Sequence, residues 1–190
     1  MSLSKIVAYT DKFLRISEIG DWDNALNGLQ IENSGRVTKI GAAVDASTRT
    51  LSGAAKQDVD LLIVHHGLFW AGLKPVRGIL RRQLQIAFEN DIALYSAHLP
   101  LDLHPQVGNN AQLARALGLR STTPFFEEKG QLIGLKARAA MSRVVCSART
   151  GSYASMKRSP SEFHSVPPIT NVAGWIGMRL FSNGTMQRYG

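Results

Sequence analysis

The sequence has a single cysteine and no run of about 18 apolar residues. A lone Cys146 excludes a disulfide framework, a cysteine-based zinc finger and a redox pair. No basic segment followed by an apolar one opens the chain, so no signal peptide is predicted. The glycine-rich nucleotide motifs G-x-x-x-x-G-K-[ST] and G-x-G-x-x-G are also absent. We therefore expect a soluble, cytoplasmic protein without a membrane partner, whose 190 residues suffice for one domain and an appendage.

Acidic residues are scarce in the last third of the chain. Residues 1–128 carry 13 basic and 13 acidic side chains, whereas residues 129–190 carry 9 basic and one acidic, which accounts for the formal charge of +8. A basic segment can indicate nucleic-acid binding. Here the aromatic residues are not interleaved with the basic ones in the pattern that base stacking requires. We therefore expect no nucleic-acid partner.

Short apolar runs alternate with helical patterns along the first two thirds of the chain. Runs typical of buried strands occupy residues 39–45, 60–66 and 91–98. Helical spacing occurs at residues 3–19, 47–57, 81–89 and 109–117. The first helix is expected to start after Ser2 or Ser4 and to end at Gly20. This order predicts a layered α/β fold with a largely parallel sheet and flanking helices over about residues 5–135.

The periodic pattern ends near residue 135. Residues 131–135 are compatible with one further strand, and no window between residues 136 and 190 has a helix or strand period. The sequence thus divides into an α/β domain at 1–135 and a divergent, irregular basic tail at 136–190. We expect the α/β domain to bind metal. The abrupt change suggests that the tail arises from a truncation or frame change in a longer gene.

His65 and His66 stand at the carboxyl end of the second predicted strand, where ligands bind in open α/β sheets. Adjacent strand residues point to opposite faces, so both serve one site only if the strand ends there or if each binds its own ion of a close pair. The next strand ends at His98, and Asp102 follows on the same loop. Imidazoles and a carboxylate without thiolate suit divalent Zn, Mn, Fe, Co or Ni. We therefore predict His65, His66 and Asp102 as metal ligands.

Several nearby residues keep more than one interpretation. His98 is a ligand, a group that supports a ligand, or a proton carrier, and His104 is expected in solvent. Asp45 either caps the helix that begins near Ser47 or touches a ligand. A histidine pair alone is more often a capping or surface feature than a metal site. The convergence of the pair with Asp102 at one sheet edge therefore carries the prediction.

Motifs occur in a fixed order along the chain: DWDN (21–24), NGLQ (27–30), AVDAS (43–47), HHGLFW (65–70), AHLPLD (97–102) and GNN (108–110). Together they resemble, over about residues 5–135, the NIF-three-like dinuclear-metal proteins, a family often labelled GTP cyclohydrolase 1 type 2. The resemblance implies an α/β fold, up to two divalent transition-metal ions per chain and a toroidal homohexamer. It implies that His65, His66 and Asp102 are ligands and that the substrate is a small molecule, GTP, whose guanine ring is opened hydrolytically.

The sequence departs from this family in its second half. Family members complete the metal centre with a His and a Glu in an H-x-x-x-E arrangement, whereas Glu162 and His164 occur here in the opposite order and spacing. The dinuclear centre of this chain is therefore expected to be incomplete. Three hypotheses remain: a metal-dependent hydrolase-type protein, a non-catalytic metal-binding or protein-interaction module, and an inactive remnant.

Overall fold

The computed structural model describes residues 1–70, 74–128, 130–139, 142–147 and 153–156. The chain forms two compact units that divide between Leu101 and Asp102. Within these ranges, no helix has both the length and the apolar character that a bilayer crossing requires.

The first unit is a layered α/β structure. Its sheet has the strand order β1-β4-β3-β2, in which β2, β3 and β4 are parallel and β1 is antiparallel to β4. This confirms the predicted fold class, and β1 is a strand that the sequence does not predict. In chain order the elements are α1 (Leu3–Leu14), β1 (Gly28–Ile31), β2 (Ile40–Asp45), α2 (Thr48–Ala55), β3 (Leu61–His66), α3 (Gly78–Glu89), β4 (Ala93–Ser96) and α4 (Leu99–Asp102), whose last residue opens the second unit.

The sheet is covered on both faces. Leu62 and Val64 of β3 belong to one core cluster together with residues of α2 and α3. Leu61, the preceding residue, belongs to a second cluster that includes Tyr95 and residues of α1. Successive strand residues point to opposite faces, so each face of β3 needs apolar side chains. This explains the continuous apolar run that leads up to the two histidines.

β2 corrects one expectation from the sequence. The strand is present, but it lies at the edge of the sheet and all of its residues are partly exposed or exposed, with Ile40 52% exposed. The small apolar residues that suggested a buried strand serve another purpose at Gly41. A Cβ atom there would lie 3.1 Å from a methyl group of Val59, so glycine permits close packing against the neighbouring side chain.

The first helix is shorter than predicted. It begins after Ser2, whose hydroxyl accepts a hydrogen bond from the N–H of Lys5, and it ends at Leu14 rather than near residue 19. Arg15 adopts a left-handed conformation with φ of 57°, and its N–H donates to the carbonyls of Asp11 and Lys12. Arg15, which is not a glycine, therefore closes the helix. The sequence prediction relied on glycine as the closing residue and so placed the end at Gly20.

The second unit pairs one helix with an antiparallel sheet of order β5-β6-β7-β8. Its elements are α5 (Asn109–Ala116), β5 (Thr122–Glu128), β6 (Gln131–Ala139), β7 (Ser142–Ser147) and β8 (Tyr153–Met156). The predicted strand at 131–135 is present as part of β6. The strands β7 and β8 correct the expectation of an irregular tail. Each pairs antiparallel with the preceding strand through its backbone, so it needs no alternating sequence pattern to form. The other residues of the tail lie outside the described ranges, and the division of the chain at residue 135 stays a prediction.

Candidate metal centre

Three histidine rings converge at the carboxyl edge of the first sheet. β3 ends at His66, and β4 ends two residues before His98. Parallel pairing of these strands, with Val64 opposite Ser96, brings the two ends to the same edge. His65, His66 and His98 each offer one ring nitrogen, and these atoms lie within 4.8 Å of one another. With small side-chain movements, such a cluster can hold a divalent ion or part of a close ion pair.

The two adjacent histidines reach one site because the strand ends with them. The ring centres of His65 and His66 are 4.5 Å apart, and that of His98 lies 4.8 Å from His65 and 5.5 Å from His66. Both rings can therefore serve one site, because β3 ends at His66. Of the three roles left open for His98, a place in the cluster itself is the one that this geometry favours.

Each ring has an acceptor at its Nδ1 atom. His65 Nδ1 lies 3.0 Å from the carbonyl oxygen of Ala97, His66 Nδ1 lies 2.7 Å from Asp45 Oδ1, and His98 Nδ1 lies 2.9 Å from Asp21 Oδ1. A carbonyl or carboxylate oxygen can only accept, which assigns the proton of each neutral ring to Nδ1. The lone pair then resides on Nε2. Metal-binding histidines are held in this way, with the second ring nitrogen donating to an oxygen.

Burial keeps His65 in its neutral form. The residue is 7% exposed, and loss of solvation lowers its pKa from 6.5 to about 4, with the neighbouring His66 and His98 acting in the same direction. Hydrogen bonding to Ala97 opposes the change only in part. Because a protonated imidazole cannot bind a metal ion, this environment keeps the ring in its metal-binding form throughout the neutral pH range.

Asp21 anchors His98 from the loop between α1 and β1. Burial opposes ionisation of Asp21, but hydrogen bonds from His98 and Asn27, the electrostatic interaction with His98 and the N–H of Trp22 outweigh it and lower the pKa of the carboxyl group. Asn27 adds a second connection, since its Oδ1 accepts from the backbone N–H of His98 at 2.7 Å. The loop therefore holds both the ring and the backbone of His98.

A glycine and a glutamine fix the chain where it leaves β3. The Oε1 atom of Gln30 accepts from the N–H groups of Leu68 and Phe69 at 2.8 and 3.3 Å. Gln30 passes so close to Gly67 that a Cβ atom on this residue would lie 2.3 Å from the amide group. Only glycine leaves room for this contact, so the HHG sequence combines the two ligand candidates with the residue that permits the turn behind them.

Trp70 packs against the cluster. Its ring contacts His98 edge to face with centres 4.5 Å apart, and it contacts His66 in the same manner at 5.6 Å. An aromatic ring in this position restricts the movement of both imidazoles. The last residue of the HHGLFW motif thus belongs to the wall of the candidate centre.

The remaining candidates have varied outcomes. Asp45 holds the ring of His66, while the helix cap is supplied by Ser47, whose hydroxyl accepts from the N–H of Thr50. Asp102 is buried in the second unit, and its Oδ1 accepts from the side chain of Asn109 at 2.5 Å. His104 lies outside the cluster, where its Nδ1 accepts from two backbone N–H groups of the following turn.

Sequence reasoning from spacing alone misses Asp21 and Asp45 as partners of the imidazoles. Asp45 stands at the carboxyl end of β2, directly opposite His66 in the strand register, so a complete sheet alignment would have paired them. Asp21 lies 77 positions before His98. Its signals in the sequence are the density of Asp and Asn in the segment that precedes β1 and its place in the DWDN motif (21–24).

Fold and site together define a layered α/β protein with a histidine cluster suited to a divalent transition metal. A family model described as Duf34/NIF3 (NGG1p interacting factor 3) matches residues 1–178. The chain belongs to this family, which confirms the resemblance drawn from the ordered motifs.

Relatives of known sequence and structure agree with this assignment. The chain is 43% identical over 138 residues to a protein of Archaeoglobus fulgidus named GTP cyclohydrolase 1 type 2 homolog, covering 73% of this chain and 56% of the relative. A protein of the same name from Treponema pallidum is 46% identical over 136 residues, covering 71% and 48%. The crystal structure of TTHA1606 from Thermus thermophilus is 49% identical, with a TM-score of 0.63 over 66% of this chain and 51% of that one. The chain therefore spans about half the length of the relatives it matches.

Proposed function

We propose that the protein binds divalent transition-metal ions through the His65, His66 and His98 cluster and acts as a metal-dependent hydrolase. The observation that carries the proposal is the common arrangement of the three rings, each with an oxygen acceptor at Nδ1 that leaves the lone pair on Nε2. Such an ion supplies Lewis-acid chemistry, since it activates water near neutral pH and polarises the bond under attack.

The residues of the chain itself have separate parts in this proposal. His65 stays neutral in its buried position, whereas Asp21 and Asp45 orient the rings of His98 and His66. Trp70 packs against the rings of His66 and His98 and limits their movement. These contacts establish the ligand geometry before an ion arrives, which reduces the ordering required on binding.

We assign the carboxylate ligand to Asp102. The residue follows His98 by four positions, its side chain is buried, and it already accepts a hydrogen bond from Asn109. An ionised carboxylate has about four lone-pair sites, so it can accept such bonds and bind an ion as well. A carboxylate beside imidazoles suits Zn, Mn, Fe, Co or Ni. The family resemblance implies Asp102 as a ligand together with His65 and His66, and we propose up to two ions per chain.

For the substrate we propose a purine nucleotide, GTP, with hydrolytic opening of the guanine ring. The support is the name of the relatives, GTP cyclohydrolase 1 type 2 homolog. We further propose that the protein acts in the cytoplasm as a homo-oligomer, a hexamer by resemblance to the family. Every copy lacks the H-x-x-x-E pattern, so a further ligand from a neighbouring copy would be some other residue of the same sequence.

The first test is metal content and metal-dependent stability. The purified protein is analysed for transition metals, and its melting temperature is measured after removal of metal and again after addition of Zn²⁺ or Mn²⁺. A ligand present at about 100 times its dissociation constant stabilises the native state by about 2.7 kcal/mol. We expect this gain in the wild type and in His104→Ala, and its loss in His65→Ala. Equal gains in all three proteins would contradict the proposed site.

The second test separates catalysis from binding alone. GTP is incubated with the metal-loaded protein, and ring opening is followed by the loss of guanine absorbance. Turnover that disappears with His65→Ala and with metal removal supports the hydrolase. Stoichiometric metal without turnover of GTP supports the alternative, a non-catalytic metal-binding or protein-interaction module.

A further inference from the structure

The buried carboxylate of Asp21 is surrounded by hydrogen-bond donors. Its Oδ1 accepts from the N–H of Trp22 at 2.7 Å and from His98 Nδ1 at 2.9 Å, while Oδ2 accepts from Asn27 Nδ2 at 2.8 Å and from the N–H of Leu99 at 3.0 Å. His98 Nδ1 also lies 3.2 Å from Oδ2, the longer of its two contacts with the carboxylate. The side chain of Asp21 is 5% exposed. Water therefore has little access with which to replace a lost hydrogen bond.

Three of these four donors cannot become acceptors. The N–H groups of Trp22 and Leu99 belong to the backbone. The amide of Asn27 is fixed in orientation, because its Oδ1 accepts from the backbone N–H of His98 and a rotated amide would place two donors against each other. Only the imidazole of His98 can exchange a donor for an acceptor at Nδ1, by moving its proton to Nε2.

We propose that Asp21 is a positioning residue that holds His98 in the Nδ1–H tautomer and so keeps its Nε2 lone pair turned to the histidine cluster. The inference rests on the proposed metal binding only for its consequence, since the tautomer is a property of the metal-free protein. A carboxylate offers an acceptor at both oxygen positions, whereas an amide offers one acceptor and one NH₂ donor. An asparagine at position 21 would present its NH₂ group to a donor in either orientation.

The least unfavourable response to such an amide is a change of tautomer. If the NH₂ group replaces Oδ2, it opposes the N–H of Leu99 and the amide of Asn27, neither of which can adapt. If it replaces Oδ1, it opposes the backbone N–H of Trp22 but no other fixed donor, because His98 can accept from it at Nδ1 and carry the proton on Nε2. The ring then directs an N–H group, not a lone pair, at the other imidazoles, and the nitrogen needed by a metal ion is blocked.

The pair formed by Asp45 and His66 offers a matched control. Its Nδ1–Oδ1 distance is 2.7 Å, but the side chains of His66 and Asp45 are 38% and 64% exposed. Water can therefore take over the hydrogen bonds that an amide at position 45 does not make. Asp45→Asn is the same chemical change beside the same kind of ring, and it leaves the surroundings of His98 untouched.

The experiment uses the ¹⁵N-labelled, metal-free full chain at neutral pH. Two-bond ¹H–¹⁵N spectra of histidine rings report which nitrogen carries the proton, and His98 is assigned by the signal missing from His98→Gln. We expect the Nδ1–H tautomer for His98 in the wild type and in Asp45→Asn, and the Nε2–H tautomer in Asp21→Asn. A wild-type His98 protonated on Nε2 overturns the proposal, as does an Asp21→Asn protein that keeps the wild-type tautomer.

A competition titration with a zinc chelator measures the consequence. Loss of a partner that orients a metal-binding histidine reduces affinity by about 10- to 100-fold. We expect a decrease of this size for Asp21→Asn and a smaller one for Asp45→Asn. The wild-type spectrum alone still decides the assignment of the tautomer if Asp21→Asn does not fold. A wild type with the expected tautomer but without zinc affinity would count against the proposed function and leave the role of Asp21 intact.

Discussion

Acidification should destabilise the metal-free protein through His65. The pKa of this ring is about 4 in the folded chain and 6.5 without the fold, so the unfolded chain takes up the proton first. Above about pH 6.5 the ring is neutral in both states and makes no pH-dependent contribution. As the pH falls from 6.5 to 4, protonation favours the unfolded state to a growing extent, and below 4 the effect is complete.

The magnitude follows from the two pKa values. Each tenfold difference in proton affinity corresponds to about 1.4 kcal/mol, so the interval between 6.5 and about 4 amounts to about 3 kcal/mol. A single domain has a free energy of unfolding of about 5–15 kcal/mol. One buried histidine is thus expected to remove a considerable part of the stability between neutral pH and pH 4.

The assay compares wild type with His65→Asn in urea unfolding at several pH values, with a chelator present and tryptophan fluorescence as the probe. An asparagine amide can donate to the carbonyl of Ala97 as Nδ1 does, but it takes up no proton in this range. The stability difference between the two proteins should therefore change by about 3 kcal/mol from pH 7 to pH 4. Parallel pH profiles for wild type and His65→Asn would refute the reasoning.

Three further predictions concern the surroundings of the cluster. Trp70→Phe should abolish most of the fluorescence change that a metal titration produces, because the Trp70 ring contacts His98. An unchanged signal would assign the response to another tryptophan. Gly67→Ala should reduce metal affinity through the clash with Gln30, and a double variant with Gln30→Ala should recover part of it, as measured by isothermal titration. Leu51→Ala should lower the free energy of unfolding by about 2–5 kcal/mol in urea, since this side chain of α2 is fully buried; a change below about 1 kcal/mol would mean that the core there collapses around the cavity.

The strands that carry the cluster could be predicted because both of their faces are covered. β3 and β4 have apolar runs that identify them. The bounds of β3 match the predicted 60–66 to within one residue, whereas β4 (Ala93–Ser96) is two residues shorter at each end than the predicted 91–98. β1 was missed because its four residues pair antiparallel with β4 through the backbone and carry no alternation long enough to detect. The same explanation holds for β7 and β8, whose formation depends on the preceding strand of the meander. Local pattern thus identifies the central strands and fails for strands defined by their neighbours.

The candidate site was predictable to the extent that its residues lie at strand ends. His65 and His66 follow directly from that rule, and His98 was predicted at the same edge with three roles left open. Asp21 could not be deduced, because its role depends on a loop that folds back over 77 positions to reach one ring nitrogen. Trp70 has no helical or strand pattern either. Contacts made by loops depend on the tertiary structure, and a single sequence contains no information about the distances between the residues involved.

The three acceptors at the Nδ1 atoms come from different parts of one unit: a carbonyl after β4, a carboxylate at the end of β2 and a carboxylate in the loop before β1. Each acceptor restrains its ring independently, so removal of one should leave the other two rings in place. The orientation of the cluster is therefore set by residues 1–101. A further ligand, whether Asp102 or a group from another chain, would add coordination number and charge without having to orient the imidazoles. On this argument, the zinc affinity of His65→Ala measures the loss of a preformed donor, whereas that of Asp21→Asn measures the loss of its orientation.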